Sequence, residues 1–381
     1  MNILELRSFL KKELEKLDDG KVLRITDINC PKSVIEDILF DKEADYKQFA
    51  TEFEDCLKKI DFTGVDFSGF NCKYFDFTGM HGVEIDPQTI WNKDLSGATC
   101  SGVEFGTRYT LFTFADVKVT GTDFTNAKNV TIFPDMIQDK DLSDAVCAGV
   151  EFKGTFDDVK IIGVDFTGSR GAEIDPQKVR DKNLTDTVCS GVEFVGPFFG
   201  AKVCDANFTG SKGAIIDPQE VRDKDLTNTV CSDVEFFGDF YGTKIRYTNF
   251  SGSKGAKIDP QTVWNKDFTD TTCTDVKFKP SERGETTVSF NGAKIRGANF
   301  SGSEGAIINP QTVWRKDLVN TNYTGAKLIG SLNGAILHDL QYEDLVKRAE
   351  ESANDEKTLA ATEEFKNSVK RLIKKTKQTN Q

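Results

Sequence analysis

The chain has 381 residues, of which 38% are hydrophobic and 29% charged, and its formal net charge is −12. No apolar run reaches the roughly 18 residues of a membrane span, so no membrane association is predicted. The first residues lack the basic start and apolar core of a signal peptide, which predicts a cytoplasmic protein. Residues 61–338 carry 38 acids and 29 bases. This balance argues against direct nucleic-acid binding, which needs clustered lysine and arginine.

Residues 1–59 are predicted to form a small α-rich N-terminal domain. The apolar positions fit an amphipathic helix, and they are Leu4, Leu6, Phe9, Leu10 and Leu14. Residues 22–25 predict a short strand, and the remainder of the segment is predicted to be helical. We expect this domain to cap the structure that follows it and to protect its edge.

A four-residue phrase, Ile-Asp-Pro-Gln, recurs along the middle of the chain. Its copies begin at Ile85, Ile174, Ile216 and Ile258, with an Asn-Pro variant at Ile308 and a degenerate copy at Phe133. Successive prolines of the phrase are 47, 42, 42, 42 and 50 residues apart, which gives a 42-residue unit with insertions of 5 and 8. At one constant spacing, the first five prolines are followed by Cys100, Cys147, Cys189, Cys231 and Cys273. Such self-similarity predicts a repeat architecture.

A five-residue period runs inside each of these units. Phe67, Cys72 and Phe77 are five residues apart, and a small or apolar residue such as Val65 often lies two positions before such a centre. Asp or Asn commonly stands between the two. This pattern resembles the pentapeptide-repeat family over residues 60–338. The resemblance implies a mainly β fold, a right-handed quadrilateral β-helix or solenoid.

The five-residue step suits one side of a square coil. It matches neither the period of 3.6 of a helix nor the period of 2 of a strand, but it fits a short extended stretch followed by a turn. Four sides make a coil of about 20 residues, and adjacent coils would hydrogen-bond about 4.8 Å apart. The repeat cysteines are assigned to one side of one coil, and Phe166, Phe208 and Phe250 to the same side of the next. Small side chains would then lie beside large ones.

A short helix is predicted in every 42-residue unit. Aspartates such as Asp86 and Asp175 are good N-caps, and the proline that follows suits the first helical position. Two coils rise about 9.6 Å, close to the 8–10 Å between packed helices, so one helix per two coils could form a stacked row. The residues expected to face inward from this row are Val179, Val221, Val263 and Val313.

One position of the predicted helix carries the candidate partner contacts. Its occupants are Trp91, Gln138, Arg180, Arg222, Trp264 and Trp314. One interpretation is that the tryptophans only cover neighbouring helices. The other is a contact surface for a protein partner, because Trp and Arg are favoured at interfaces. The residues assigned to that surface are Trp91, Arg180, Arg222, Trp264 and Trp314.

No catalytic, cofactor or metal site is predicted. Equivalent cysteines two coils apart would be about 9.6 Å apart, too far for a disulfide. The two histidines, His81 and His338, lie at opposite ends of the repeat region. The Gly-Ser-Lys-Gly segments lack the frame of a phosphate-binding loop. No acid stands outside the repeat pattern beside a nucleophile and a base, so the chain is not predicted to be an enzyme.

Residues 339–381 are predicted to form one or two helices. Leu345, Phe365 and Leu372 are apolar positions among many charges. This segment would cap the far end of the coils or pair two chains into a homodimer. Its closing basic cluster is typical of a solvated tail.

Three functions fit these features. The first is a non-catalytic scaffold, a rigid acidic rod that presents its row of helices to a protein partner. The second comes from resemblance to the quinolone-resistance pentapeptide proteins, acidic dimeric rods that bind DNA gyrase, and is a DNA mimic that inhibits or protects such an enzyme. Residues 61–338 have a net charge of −9, whereas DNA of similar length carries about 37 charges, so mimicry would need the acids gathered on one face. The third is a translocated bacterial effector.

Overall fold

The computed structural model divides the chain into two units, Met1–Gly196 (unit 1) and Pro197–Gln381 (unit 2). The residues that it describes are 23–24, 60–63, 67–70, 72–106, 114–280, 288–324, 326–329 and 334–336. The α-rich domain predicted for residues 1–59 therefore lies outside the described residues, apart from one strand. The helices predicted for residues 339–381 lie outside them as well.

Each unit is a stack of coils joined by short parallel strand pairs. The strands of unit 1 are β1 (Leu23–Arg24), β2 (Ile60–Asp61), β3 (Glu84–Ile85), β4 (Glu104–Phe105), β5 (Thr131–Ile132), β6 (Glu151–Phe152), β7 (Ala172–Ile174) and β8 (Val192–Phe194). The strands of unit 2 are β9 (Ile215–Ile216), β10 (Glu235–Phe236), β11 (Lys257–Ile258), β12 (Lys277–Phe278), β13 (Ile307–Ile308) and β14 (Lys327–Leu328). From β3 onward each odd-numbered strand pairs with the next strand, which lies one coil later. The pairs are parallel because successive coils run in the same direction.

The N-terminal edge of the repeat is paired with a strand from outside it. β1 lies parallel to β2, with Leu23 opposite Ile60 and Arg24 opposite Asp61. The strand predicted at residues 22–25 is thus confirmed for two residues. Backbone pairing of this kind covers an edge that would otherwise offer unpaired N–H and C=O groups.

Every coil has four faces, which confirms the quadrilateral solenoid. The Asp/Lys face places Asp141 beside Lys160 in unit 1 and Asp225 beside Lys244 in unit 2. The Cys/Phe face carries the repeat cysteines, the strand face carries β3–β14, and the turn face carries the residues that follow each Ile-Asp-Pro-Gln phrase. Parallel backbone bridges join neighbouring coils on the first three faces, and backbone hydrogen bonds join them on the turn face.

The alternation of small and large residues on the Cys/Phe face follows the predicted register. In unit 1, parallel bridges join Val146 to Asp165 and Asp165 to Val188. The residues that follow these bridge positions point inward and are fully buried: Cys147, Phe166 and Cys189 in unit 1, and Phe208, Cys231 and Phe250 in unit 2. A small thiol therefore lies beside a phenyl ring in successive coils, which fills the interior without voids.

The chain contains 30 phenylalanines, and many of them form clusters of three rings inside the 42-residue units. The clusters include Phe152, Phe156 and Phe166 in unit 1, and Phe236, Phe240 and Phe250 in unit 2. Ring centroids within the first cluster are 5.3 to 5.8 Å apart, and those within the second are 5.3 to 5.7 Å apart. The tilted and edge-on arrangements are those that aromatic pairs prefer.

A bulge contributes to the extra length of every second coil in the 42-residue unit. On the Cys/Phe face of unit 2, Val230 bridges to Asn249 and Asn249 bridges to Thr272, so the second of these coils takes more residues than the first. The longer coil contains a bulge of the kind seen at 170–172, where Arg170 pairs with the preceding coil and Ala172 with the following one.

The glycine in this bulge is required by the close approach of two coils. Gly171 has a φ of 72°, and a Cβ added there would lie 2.5 Å from the carbonyl oxygen of Phe152. Glycine alone combines a left-handed backbone with such an approach at low cost.

The Asp-Pro step that was predicted to begin a helix makes a β-turn instead. The carboxylate Oδ1 of Asp175 accepts a hydrogen bond from the Gln177 backbone N–H at 2.9 Å. The Lys178 N–H donates to the Asp175 carbonyl at 3.0 Å and closes the turn. The aspartate thus caps its own turn, as its position suggests, but no α-helix follows it.

The helical element of each unit is a single 3₁₀ turn of three residues that begins four residues after the proline. After the β-turn, Val179 is buried and extended (φ −62°, ψ 151°), and the 3₁₀ turn spans Arg180–Lys182. The helix does not start earlier because the Arg180 N–H donates to the Val159 carbonyl of the neighbouring coil at 2.9 Å. The equivalent turns are Trp91–Lys93 and Gln138–Lys140 in unit 1, and Arg222–Lys224, Trp264–Lys266 and Trp314–Lys316 in unit 2. Val221, Val263 and Val313 are buried like Val179, as predicted.

Threonine hydroxyls inside the coils form hydrogen bonds that sequence analysis did not foresee. In unit 2, Thr229 Oγ1 donates to the Val203 carbonyl at 3.0 Å, and Thr271 Oγ1 donates to the Ile245 carbonyl at 2.8 Å. Both threonines are fully buried. Each stands two positions before a repeat cysteine, where the pentapeptide pattern predicts a small or apolar residue, and each is accommodated because its hydroxyl is satisfied.

Candidate protein-binding face

The turn face is a flat ladder whose neighbouring coils differ in conformation. In unit 2 the Gly242 N–H donates to the Thr262 carbonyl at 2.7 Å, and the Trp264 N–H donates to the Thr243 carbonyl at 3.0 Å. A coil with a 3₁₀ turn therefore alternates with a coil without one. Equivalent 3₁₀ turns within a unit recur about 9.6 Å apart, at two coil spacings.

A glutamine–lysine contact stabilises four of the 3₁₀ turns. Lys266 Nζ donates to Gln261 Oε1 at 2.6 Å. The same contact recurs as Lys182–Gln177 in unit 1, and as Lys224–Gln219 and Lys316–Gln311 in unit 2. Asn265 and Lys266 both have positive φ, 51° and 49°, so the side-chain contact stabilises a strained backbone. Its signal in the sequence is a Gln and a Lys five residues apart, which is present in every copy except the degenerate one, where Asp135 replaces the Gln.

In unit 1 the predicted contact residues are largely engaged within the chain. Trp91 is half-buried. Arg180 is also half-buried, and its Nε lies 3.3 Å from Asp158 Oδ1 on the neighbouring coil. An exposed ion pair lies next to it, with Lys178 Nζ 3.9 Å from Asp157 Oδ2. The turn face of unit 1 is therefore charged and internally paired around Arg180.

In unit 2 the predicted tryptophans are exposed. Trp264 is 54% exposed and Trp314 is 50% exposed. The guanidinium carbon of Arg315 lies 5.6 Å from the Trp314 ring centroid, a cation–π distance. Arg222 is half-buried and donates from Nε to the Gly200 carbonyl at 3.2 Å. The structure thus separates the five predicted residues into engaged and exposed ones.

Three further exposed aromatic residues of unit 2 were missed by sequence analysis. Phe199, Phe237 and Tyr241 are each about half exposed or more. Phe199 and Tyr241 directly precede Gly200 and Gly242, whose backbone N–H groups donate to the neighbouring coils on the turn face. Phe237 lies four residues before Tyr241, on the strand-face side of the same coil. Their signal is a doubled aromatic, because each directly follows a buried Phe of the interior cluster. We call Phe199, Phe237, Tyr241, Trp264 and Trp314 the aromatic band.

The aromatic band has a cationic fringe. Lys224 Nζ lies 6.0 Å from the Tyr241 ring centroid. Arg315 follows Trp314 in the same 3₁₀ turn, and Arg222 occupies in its own turn the position that tryptophan holds at 264 and 314. In unit 1 the position of Tyr241 is occupied by Asp157, so the exposed aromatic ring at this position is a feature of unit 2.

The interior offers no reactive group. Burial raises the pKa of the thiols of Cys189, Cys231 and Cys273 far above the ordinary range. These thiols stay protonated at neutral pH and cannot act as nucleophiles or metal ligands. Within the described ranges, no group of three His, Cys, Asp or Glu side chains could hold a metal ion. The same ranges contain no helix that is long and apolar enough to cross a membrane.

Charges on the Asp/Lys face are compensated within the chain. Lys244 Nζ lies 2.9 Å from Asp225 Oδ2, and Lys294 Nζ lies 3.1 Å from Asp267 Oδ2. Partial burial of Asp225 opposes its ionisation, but hydrogen bonds from Thr227 and Lys244 outweigh that effect and lower the pKa of its carboxyl. The hydrogen bond to Asp225 likewise raises the pKa of Lys244. This face is therefore a row of ion pairs rather than a row of acids.

The chain forms a quadrilateral β-solenoid with an exposed aromatic band. This class of fold is defined by four faces per coil, parallel ladders between coils and an inward side chain at about every fifth residue. The chain has the repeat and the fold of the pentapeptide-repeat family. No protein-family model matches the chain, and no curated protein matches it in sequence.

Comparison with solved structures finds several pentapeptide-repeat proteins. HetL, involved in heterocyst differentiation regulation in the cyanobacterium Nostoc sp. strain PCC 7120, is 13% identical with a TM-score of 0.17, over 68% of this chain and 86% of HetL. A trypsin-treated form of QnrB1, a plasmid-mediated fluoroquinolone resistance protein, is 17% identical with a TM-score of 0.18, over 66% of this chain and 94% of its own. Full-length QnrB1 is 15% identical with a TM-score of 0.15, over 62% and 93%. The assignment of the fold rests on the repeat and the coil geometry.

Proposed function

We propose that the protein is a non-catalytic scaffold that binds a protein partner through the aromatic band of unit 2. The observation that carries the proposal is the exposure of Trp264 and Trp314, at 54% and 50%, on a rigid hydrogen-bonded ladder. Exposed aromatic residues held on a rigid frame lose little conformational entropy when they bind. Tryptophan, tyrosine and arginine are the residues that most often dominate binding energy at interfaces.

The chemistry of the band indicates the kind of partner. The rings of the aromatic band offer apolar contact area, and Arg222 and Arg315 add positive charge at the edge. A complementary surface has apolar side chains at its centre and carboxylates at its rim. The proposed partner is therefore a protein segment with acidic and apolar side chains.

Affinity purification from the native host tests the proposal with matched variants. The bait is the full chain with Trp264→Ala and Trp314→Ala together, compared with the wild-type chain. The control is Tyr247→Ala, because Tyr247 is also exposed, at 42%, in unit 2, but lies where the Asp/Lys and Cys/Phe faces meet. Captured proteins are quantified by mass spectrometry.

A specific partner should be retained by wild type and by Y247A, and reduced at least tenfold by the double tryptophan variant. Circular dichroism confirms that each variant is folded. A partner that the double variant captures as well as wild type would refute the aromatic band as the binding face. Equal loss in both variants would refute it too.

A second candidate is the inhibition or protection of DNA gyrase through DNA mimicry. It is favoured by glutamates set side by side on the strand face of unit 1, where Glu84 is opposite Glu104 and Glu173 is opposite Glu193. The ion pairs of the Asp/Lys face weigh against it. A gyrase supercoiling assay decides, since a DNA mimic changes the rate at micromolar concentration. Translocation of the chain as an effector stays a prediction.

A further inference from the structure

The strand face of each unit places two like charges side by side. The pair is negative in unit 1 and positive in unit 2. In unit 1, Glu173 of β7 is the register partner of Glu193 in β8. In unit 2, Lys257 of β11 is the register partner of Lys277 in β12. Register partners in adjacent strands are about 4.8 Å apart. Like charges directly opposite each other destabilise a sheet, so the arrangement has a cost within one molecule.

The exposed charges around these register pairs differ between the units: they nearly balance in unit 1 and are mainly basic in unit 2. The exposed acids on the strand face of unit 1 also include Glu84 and Glu151, set against Lys128, Lys153 and Arg170, with Lys153 Nζ 3.4 Å from Glu151 Oε2. The exposed lysines on the strand face of unit 2 are Lys212, Lys254, Lys257, Lys277, Lys279 and Lys327, set against Glu235 and Glu304. Unit 2 therefore presents a basic face in a chain whose net charge is −12.

These charges are not neutralised as those of the Asp/Lys face are. Within the described part of the chain, no ion pair involves Glu173, Glu193 or Lys257. Lys277 does have a partner, since its Nζ lies 3.0 Å from Glu304 Oε2. On the Asp/Lys face, by contrast, neighbouring coils repeatedly set an aspartate beside a lysine. Both faces have the same coil spacing, so they differ only in which charges neighbouring coils place side by side.

We propose that the strand face of unit 2 binds the strand face of unit 1 in a second copy of this chain. The two faces carry like-charged register pairs of opposite sign, and these pairs have the same spacing because both faces are ladders of parallel strands. The pair Glu173 and Glu193 therefore has the same spacing as the pair Lys257 and Lys277, and the opposite charge. Complementary charge across an interface gives specificity and fixes register.

Sedimentation velocity on the full chain tests this self-association with two charge-reversed variants, measured separately and as a mixture. The acidic face is reversed by Glu173→Lys with Glu193→Lys, and the basic face by Lys257→Glu with Lys277→Glu. The control is Asp157→Lys with Glu220→Lys, which makes the same charge change as the first variant at exposed positions of the turn face. Wild type and control are expected to self-associate with similar dissociation constants.

Each reversed variant alone should associate at least tenfold more weakly than wild type, because it brings like charges together. An equimolar mixture of the two should recover association, because each variant then meets its opposite. Recovery also shows that both variants are folded. A monomeric wild type, association that both variants retain, or a mixture that stays monomeric would overturn the proposal. A monomeric wild type that binds a DNA duplex through Lys257 and Lys277 would assign the face to a polyanion instead.

Discussion

Lys244 and Asp225 lie side by side on adjacent coils of unit 2, with the ammonium Nζ 2.9 Å from the carboxylate Oδ2. The same carboxylate performs a second task, because its Oδ1 accepts a hydrogen bond from the Thr227 backbone N–H at 3.0 Å. One aspartate thus closes the corner of its own coil and joins that coil to the next. The turn hydrogen bond explains why the five-residue repeat has Asp or Asn at this position. The ion pair with Lys244 explains why position 225 is charged.

The two tasks can be separated by Asp225→Asn, which keeps an oxygen acceptor but removes the charge. Asn183 of unit 1 makes the same turn, accepting from the Thr185 N–H at 3.0 Å. We expect D225N to lower the free energy of unfolding at pH 7 by less than about 1 kcal/mol, the range of an exposed pair. D225A should cost about 1 kcal/mol more, because it also loses the turn.

The contribution of this ion pair should depend on pH in a defined direction. The pKa of Asp225 is lowered in the folded chain, so the stabilisation is present above the unfolded pKa of about 3.9 and is lost as the pH falls through the folded value. Urea unfolding at pH 7 and pH 2.5 measures it. The difference between D225N and wild type should be larger at pH 7 than at pH 2.5. A difference of equal size at both pH values would contradict the assignment.

Two glycines of unit 2 with the same backbone conformation should respond differently to alanine. Gly305, in a bulge, has a φ of 77°, and a Cβ there would lie 2.6 Å from the carbonyl oxygen of Phe278. Gly292 has a φ of 71° and no heavy atom of the described chain within 4 Å of such a Cβ. We expect G292A to cost about 1 kcal/mol, the strain of a left-handed residue, and G305A about 1–3 kcal/mol more, because the coils must separate. Chemical unfolding of both variants checks this, and equal costs would refute the close approach.

Much of this fold could be predicted from the sequence because its signals are local and repeated. The five-residue period and the Cys/Phe alternation each follow from which side chains can point inward. The predicted helix failed for a non-local reason, since the Arg180 N–H is taken by the carbonyl of Val159 on another coil. Of the predicted site residues, Trp264 and Trp314 are exposed, whereas Arg180 is paired with Asp158 of the preceding coil. Exposure at a repeat position depends on adjacent coils, which the motif alone does not reveal.

Two buried threonines in unit 2 form a matched pair for a test of interior hydrogen bonding. Thr229 and Thr243 are both fully buried. Thr229 Oγ1 donates to the Val203 carbonyl at 3.0 Å, whereas no described residue offers Thr243 Oγ1 a hydrogen-bond partner. Valine has nearly the same shape as threonine. We expect T229V to lower the free energy of unfolding by about 1 kcal/mol and T243V to raise it by about 1 kcal/mol. Thermal and urea unfolding measure both, and destabilisation by T243V comparable with that of T229V would contradict the hydrogen-bond assignment.

The repeat cysteines should be unreactive in the folded chain although they are reduced. Burial raises the pKa of each thiol, with further contributions from Asp123 and Asp76 at Cys100, and the thiolate is the species that alkylating agents attack. Cys204 is half-buried and is the one described cysteine outside the fully buried set. Iodoacetamide at pH 8, followed by peptide mass spectrometry, should therefore modify Cys204 and leave the repeat cysteines unmodified until denaturant is added. Modification of Cys189 or Cys231 at the rate of Cys204 under native conditions would show that the coils open readily and that the interior is not closed to solvent.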